Sequence, residues 1–484
     1  MTVPELPDPE GIERELRRAE ADGADAETLA RLWSETGSAY RRRYWSTGAP
    51  EDLDRAIDSF QTALVTGMTN RAARANDLAV VLTDRFDVTG ELDHLAEAVR
   101  AAEEAMTEVE EDSPEWAEYA ATLTLCLWDR YDATGSLADL EHAIVLGSQA
   151  LAALPQEALG WARICSNVAM LRMDRFERLG EDDDLQESVR LAQAAVDGAH
   201  AEDPELGGWF NNLGNALLTR FGARFGDRES PVPEELIELQ DLDAAVAAYR
   251  RAIDVSPWGV AGRATFLSNL GNALVDRSAM HRLDGHPERR ELVLREAIDA
   301  LAEAVSITAP TAPYLASRLN VLGVAQRAAA DETGSADDIA AARSTLRRAC
   351  TSGLAVAPEM TVSAANNWIH WAVQRSAWDE VGEADGYLLR AAETLHRAQS
   401  LRRHHEAWLI AFRGLAQEAA YALAREGRAP DAAARLERGR AVLLTEVLRL
   451  VPAALDRLPG TLRHRYIEAV KQVEAAQQPR QPVP

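Results

Sequence analysis

The stretch "LTDRFDVTGELDHLAEA", Leu82 to Ala98, and its cousin "LWDRYDATGSLADLEHA", Leu127 to Ala143, carry the same features in the same order. An arginine precedes an aromatic, then come glycine, leucine and alanine. The arginine anchors a series: Arg43-Tyr44, Arg85-Phe86, Arg130-Tyr131, Arg175-Phe176 and Arg220-Phe221, continued by Arg277, Ala329 and Arg375. Successive anchors are 42, 45, 45, 45, 57, 52 and 46 residues apart. Five residues after the anchor stands Gly48, Gly90, Gly135, Gly180 or Gly334; five further, Leu53, Leu95, Leu140, Leu185 or Ile339; three beyond, Ala56, Ala98, Ala143, Ser188 or Ala342. Offsets held through five copies mark a repeat.

Each repeat reads as two helices. In the third, Ser113 is a suitable N-cap and Pro114 sits at the first helical position, where a missing N–H costs nothing. Apolar and small residues recur at helical spacing as far as Trp128, and Gly135 supplies the left-handed residue that ends the helix. The second helix is expected from about Ser136 to Leu154, with Pro155 stopping it. Thr-Gly is then the turn of an antiparallel hairpin. The acidic residues after it suit the positive end of the second helix.

Composition narrows the classes. A chain of 484 residues with 47% hydrophobic residues can bury an extensive core, which excludes wholesale disorder. The net charge of −27 is read as excluding nucleic acid as a partner. From Arg397 to Arg465, 13 arginines face 7 acids, so a basic C-terminal segment stands beside an acidic remainder. Cys126, Cys165 and Cys350 form no metal-binding or redox motif and read as small buried residues of a reducing, cytoplasmic protein. The N-terminus carries no apolar leader and no stretch is long enough to span a membrane, so no membrane partner is expected.

The segments "NNLGNALL" (Asn211–Leu218) and "AVAAYRRAIDVSP" (Ala245–Pro257) resemble the tetratricopeptide repeat, through Leu213, Gly214, Ala245, Tyr249, Ala252 and Pro257. A second copy has Leu270, Gly271, Ala297, Leu301, Ala304 and Pro310. The family's period is about 34 residues; the extra residues here come in threes and fours, about one helical turn each, which lengthens a helix without rotating its apolar face. The resemblance implies an all-α fold, an α-solenoid of about nine antiparallel helix pairs wound as a right-handed superhelix. On this reading residues 1–24 hold a capping helix and 25–448 the solenoid, with insertions at 222–241 and 279–292. Capping helices occupy 449–474 and a disordered tail 475–484.

No catalytic constellation, cofactor motif or metal-ligand spacing is present in the sequence, so the chain is expected not to be an enzyme and to need no cofactor. Asp84, Asp129, Asp174 and Asp276, each preceding an anchor arginine, are expected to bridge adjacent repeats. Function is expected in the groove lined by the first helices, at positions two before, two after and five after the signature leucine. There, amides that both donate and accept suit an extended peptide. The expected partner-binding residues are Asn211, Asn215, Asn272, Asn320, Asn366 and His370, with Trp128 and Met173 in a more apolar upstream stretch. The carboxylate-clamp mode is disfavoured, since Gly208, Asn211, Thr265 and Ser268 stand where it needs basic residues. The expected function is a protein-interaction scaffold or sensor holding a protein or peptide.

A second likeness is to the repeat arrays that precede a caspase-like CHAT peptidase domain in actinobacterial proteins, carried by the closing "LERGRAVLL" (Leu436–Leu444). It implies the alternative that this is the regulatory part of such a protease. After Leu444 the sequence has His464 and no cysteine, so the catalytic dyad is not in this chain.

Overall fold

The computed structural model describes residues 8–450 apart from 112, 159, 226–238, 257–261, 284–286 and 398–414. Nineteen α-helices and no strand occur among the described residues. A leading helix, α1 (Pro9–Ala21), precedes the pairs α2 (Ala26–Thr47) with α3 (Pro50–Thr66), α4 (Arg71–Thr89) with α5 (Leu92–Thr107), and α6 (Pro114–Thr134) with α7 (Leu137–Ala153). Then come α8 (Trp161–Leu179) with α9 (Asp182–Asp197), α10 (Leu206–Phe225) with α11 (Gln240–Val255), and α12 (Arg263–Leu283) followed by α13 (Pro287–Ser306). The last are α14 (Leu315–Thr333) with α15 (Ala336–Val356), α16 (Pro358–Gln374) with α17 (Trp378–Arg397), and α18 (Leu415–Arg425) with α19 (Ala429–Leu450). The chain divides into two compact bodies, residues 1–293 and 294–484. Each is an all-α solenoid of stacked hairpins.

Local chemistry sets the hairpins. Ser113 Oγ accepts from the Trp116 amide at 3.1 Å, capping α6, with Pro114 at its first position. Gly135 ends α6 at φ 74°, in the left-handed region that only glycine enters freely. Gly48, Gly90, Gly180 and Gly334 do the same for their helices. At Gly214 the need is different: a Cβ there would lie 2.5 Å from the Tyr249 ring, so the missing side chain is what lets α11 seat its aromatic on α10. The second helices bury a repeating stripe, as in Leu53, Ala56, Phe60 and Ala63 of α3. Burying one such leucine or phenylalanine stabilises by about 2 kcal/mol.

The anchor arginine latches its own hairpin. Arg43 donates to both oxygens of Asp52 (2.8 and 2.7 Å), Arg130 to Asp139 (2.9 and 2.6 Å), Arg175 to Asp184 (2.6 and 2.5 Å) and Arg220 to Asp241 (2.8 and 2.6 Å). Arg375 does so with Glu380, at 3.3 and 2.8 Å. The acceptor lies in the first turn of the second helix, where its charge also meets the helix dipole. In the second pair His94 occupies the acceptor's place, and Arg85 reaches back to Asp54 of the preceding pair at 2.9 Å.

The second body changes one interface. The stripe position filled by Ile57, Val99, Ile144, Val189, Val246 and Ile298 holds Arg343 in α15 and Asp385 in α17. Asp385 accepts two hydrogen bonds from Arg435 of α19, at 2.7 and 2.6 Å, with both side chains buried. Trp368 and Trp371 fill the core beside this, their ring N–H groups donating to Glu380 and Asp331 at 2.8 Å each.

The expected insertion at 279–292 is mostly helix: α12 runs on to Leu283 and α13 starts at Pro287. Its arginines, glutamates and leucines are good helix formers, so the added length extends helices rather than a loop. The other expected insertion lies largely outside the described residues. The expected C-terminal caps lie outside them but for the end of α19, and the tail does so entirely.

Candidate interaction face

Successive first helices of body one, α2, α4, α6, α8, α10 and α12, touch one another and form a continuous layer. The signature residues Leu78, Leu123, Val168, Leu213 and Leu270 point into the core. Helical geometry turns outward the residues five and one before the signature, and two, six and nine after it. On α6 these are Glu118, Thr122, Leu125, Asp129 and Asp132, and all are exposed or half-buried.

An amide ladder joins neighbouring first helices. The residue one before the signature donates to the residue two before it on the preceding first helix. Asn212 Nδ2 reaches Ser166 Oγ at 3.0 Å, Asn269 Nδ2 reaches Asn211 Oδ1 at 2.8 Å, and in body two Asn367 Nδ2 reaches Asn320 Oδ1 at 3.0 Å. Asn269 also donates to Asn215 Oδ1 at 3.3 Å, which accepts from the Tyr249 hydroxyl at 2.9 Å.

The expected partner-binding residues therefore separate. Asn211, Asn215 and Asn320 are engaged within the ladder, and Asn211 is buried. Trp128 donates its ring N–H to Asp174 at 2.7 Å, and Met173 is buried with its sulfur 3.7 Å from Thr219 Oγ1. Asn272 and His370 are exposed, His370 lying 3.0 Å from Glu418. Asn366 buries an Oδ1 without a partner. At the ladder position that would serve it stands Glu418, an acceptor instead of a donor.

The carboxylates preceding the anchors act apart from their arginines. Asp84 accepts from Arg41 of α2 at 2.5 Å and Asp174 from Trp128 of α6, so these two bridge neighbouring pairs as expected. Asp129 and Asp276 have no hydrogen bond or ion pair among the described residues. Burial, together with the nearby charges of Asp87 and Asp132, pushes Asp129 up to about 7; burial alone pushes Asp276 up to about 6. Asp77, Asp87 and Glu177, on the same outward stripe, are raised by burial first, with Asp84 adding to Asp87. Sequence reading missed this row because it placed the outward stripe one residue out of register at its far end, on Trp128 and Met173 in place of Asp129 and Asp174.

Each body has a hollow of its own. Between α2 and α4 a cavity of about 410 Å³ is lined by Thr28, Thr69, Asn70, Arg74 and Asp77. Glu27 closes its edge, accepting from the Thr69 hydroxyl at 2.6 Å and from the Thr69 and Met68 amides at 2.8 and 2.5 Å. In body two a cavity of about 630 Å³ lies among α17, α18 and α19, over Gly382 and Gly386. Burial pushes the Cys126, Cys165 and Cys350 thiols up to about 12, which leaves them protonated and unreactive. No cluster of three or more metal-ligating side chains occurs among the described residues, and no described helix is long and apolar enough to cross a membrane.

No family model matches the chain, and no curated protein matches it by sequence. Solved structures match it at low identity. The human IFIT1 dimer with PPP-AAAA is 11% identical over 91% of each chain, with a TM-score of 0.43. The human IFIT1 dimer with m7Gppp-AAAA is 13% identical over 90% of this chain and 86% of that one, at 0.45. BtubC (BKLC) from P. vanneervenii is 15% identical over 57% of this chain and 91% of its own, at 0.31. The expectation that nucleic acid is excluded as a partner is corrected here. The IFIT1 structures hold PPP-AAAA and m7Gppp-AAAA, and a charge summed over a whole chain does not describe any one face of it.

Proposed function

We propose that this chain is a non-enzymatic, cytoplasmic scaffold or sensor that holds a protein or peptide partner on the first-helix layer of residues 1–293. What supports this is the contrast in how charge is handled. The hairpins pair their buried or half-buried carboxylates with arginines, whereas the outward stripe keeps Asp129 unpaired one turn from Leu125, and Asp276 unpaired on α12. A surface that leaves half-buried polar groups unsatisfied gains most when a partner covers it. A photo-crosslinking residue placed at Leu125 should capture one defined partner peptide in the native cell. The same probe at Val145, exposed on the second helix α7, should not. Equal capture at both positions would remove the first-helix layer from the account.

A second reading rests on "LERGRAVLL" (Leu436–Leu444), which resembles the junction of CHAT-bearing arrays. It makes the chain the regulatory part of a caspase-like protease system. A His–Cys peptidase domain encoded beyond Pro484 or in a neighbouring gene supports that reading, and a genomic context without one removes it.

A further inference from the structure

We propose that the partner segment is cationic: a peptide carrying arginine or lysine at intervals, with apolar side chains between, laid across α4, α6 and α8. The proposal rests on the partner-binding reading above and adds the chemistry of what is bound. Three observations carry it. At the positions six and nine after the signature, α4, α6 and α8 present Asp84 and Asp87, Asp129 and Asp132, Asp174 and Glu177, six carboxylates and no cation. Arg41 reaches Asp84 from α2, while Asp87, Asp129 and Glu177 make no ion pair or hydrogen bond among the described residues.

Second, exposed apolar side chains gather at the same end. Val88 (41% exposed) follows Asp87, and Leu125 (36%) lies one turn from Asp129. An acidic surface kept only for solubility has no need of them. Third, the row is headed on α2 by Trp45, 65% exposed. An open indole face attracts a guanidinium or ammonium group, and arginine most often. The spacing then sets the peptide. Neighbouring helices pack about 9 Å apart and an extended chain advances about 3.3 Å per residue, so a basic side chain about every third residue meets one carboxylate pair per helix.

The test uses the full chain and fluorescence anisotropy with three labelled probes. One is a synthetic peptide with arginine at every third position among leucine and alanine, the second has glutamine in place of each arginine, and the third is an oligoadenylate. The arginine peptide should bind and weaken steeply with added salt. The combined Asp87→Asn, Asp129→Asn and Glu177→Gln variant should weaken it at least about tenfold, as expected for three modest surface ion pairs. Leu125→Ser should weaken it as well. Equal binding of the arginine and glutamine peptides, or indifference to the triple variant, overturns the cationic assignment. If the glutamine peptide or the oligoadenylate binds and Leu125→Ser weakens it, the face survives as a partner surface without that preference. If Leu125→Ser affects none of the probes, the partner-binding reading itself is overturned for this face.

Discussion

Asn215 and Asn272 sit at the same place in their repeats, two residues after the signature, yet their surroundings oppose each other. Asn215 Oδ1 accepts from Tyr249 and from Asn269, whereas Asn272 is exposed. Removing the first amide strands the Tyr249 hydroxyl, an orphaned donor that costs about 1–2 kcal/mol. Removing the second should stay within about 0.5 kcal/mol of no effect. Asn215→Ala should therefore speed hydrogen exchange in α10 and α11, and Asn272→Ala should leave it unchanged. Equal behaviour of the two would show that the ladder contributes nothing. The sequence shows that asparagines recur beside the signature. Whether an amide faces solvent or a neighbouring helix turns on a rotation of one residue, about 100°, and on what the adjacent repeat offers. Ser166 and Asn320 give an acceptor where Ala121 does not, and such pairings form only once the helices are stacked.

Between elements, the strongest polar device is the latch from first helix to second. Asp184 is nearly wholly buried and takes hydrogen bonds from Arg175 and from Arg172 at 3.0 Å. Burial alone would raise its carboxyl, but the two guanidinium groups outweigh that and hold it below the ordinary value. A carboxylate lowered in the folded state adds stability above its unfolded pKa, and that stability is lost as pH falls through the folded pKa. Asp184→Ala leaves two arginines facing an empty, buried site and should cost about 3 kcal/mol at neutral pH. The loss should fade in acid, where the wild-type carboxyl is also protonated; urea unfolding followed across pH measures this. A loss independent of pH would assign the effect to packing. The helical hairpin itself was legible in Ser113, Pro114 and Gly135, whose backbone preferences act locally. That the arginine belongs to its own hairpin was less plain. Arg130 and Asp139 lie only nine residues apart and meet because the turn between them is tight. The helical continuation through Met280–Leu283 and from Pro287 is not legible in the sequence, because added length in a repeat reads equally as loop or as longer helix.

At the scale of the molecule, a net charge of −27 says that carboxylates outnumber cations, but not which are left without one. In body one the hairpin arginines take up Asp52, Asp139, Asp184 and Asp241, whereas Asp129 and Asp276 of the first-helix layer are half-buried without a cation among the described residues. Both are raised above an unfolded value near 4, Asp129 to about 7 and Asp276 to about 6. Their sign is opposite to that of Asp184. Over the window from about pH 4 to 7 the folded chain keeps protons that the unfolded chain has released, so stability is lost as pH rises through it. Among these groups, stability should thus decline on the acid side through Asp184 and again toward neutrality through Asp129 and Asp276. Asp129→Asn removes a charge that is half-buried between Asp87 and Asp132 while keeping the size of the side chain. It should raise stability at pH 8 by on the order of 1–2 kcal/mol and have little effect at pH 4. Slower hydrogen exchange of α6 at the higher pH reads this locally, which matters because two bodies need not unfold as one. The same gain at both pH values would mean that the benefit comes from the amide's own contacts and not from a charge the fold leaves unanswered.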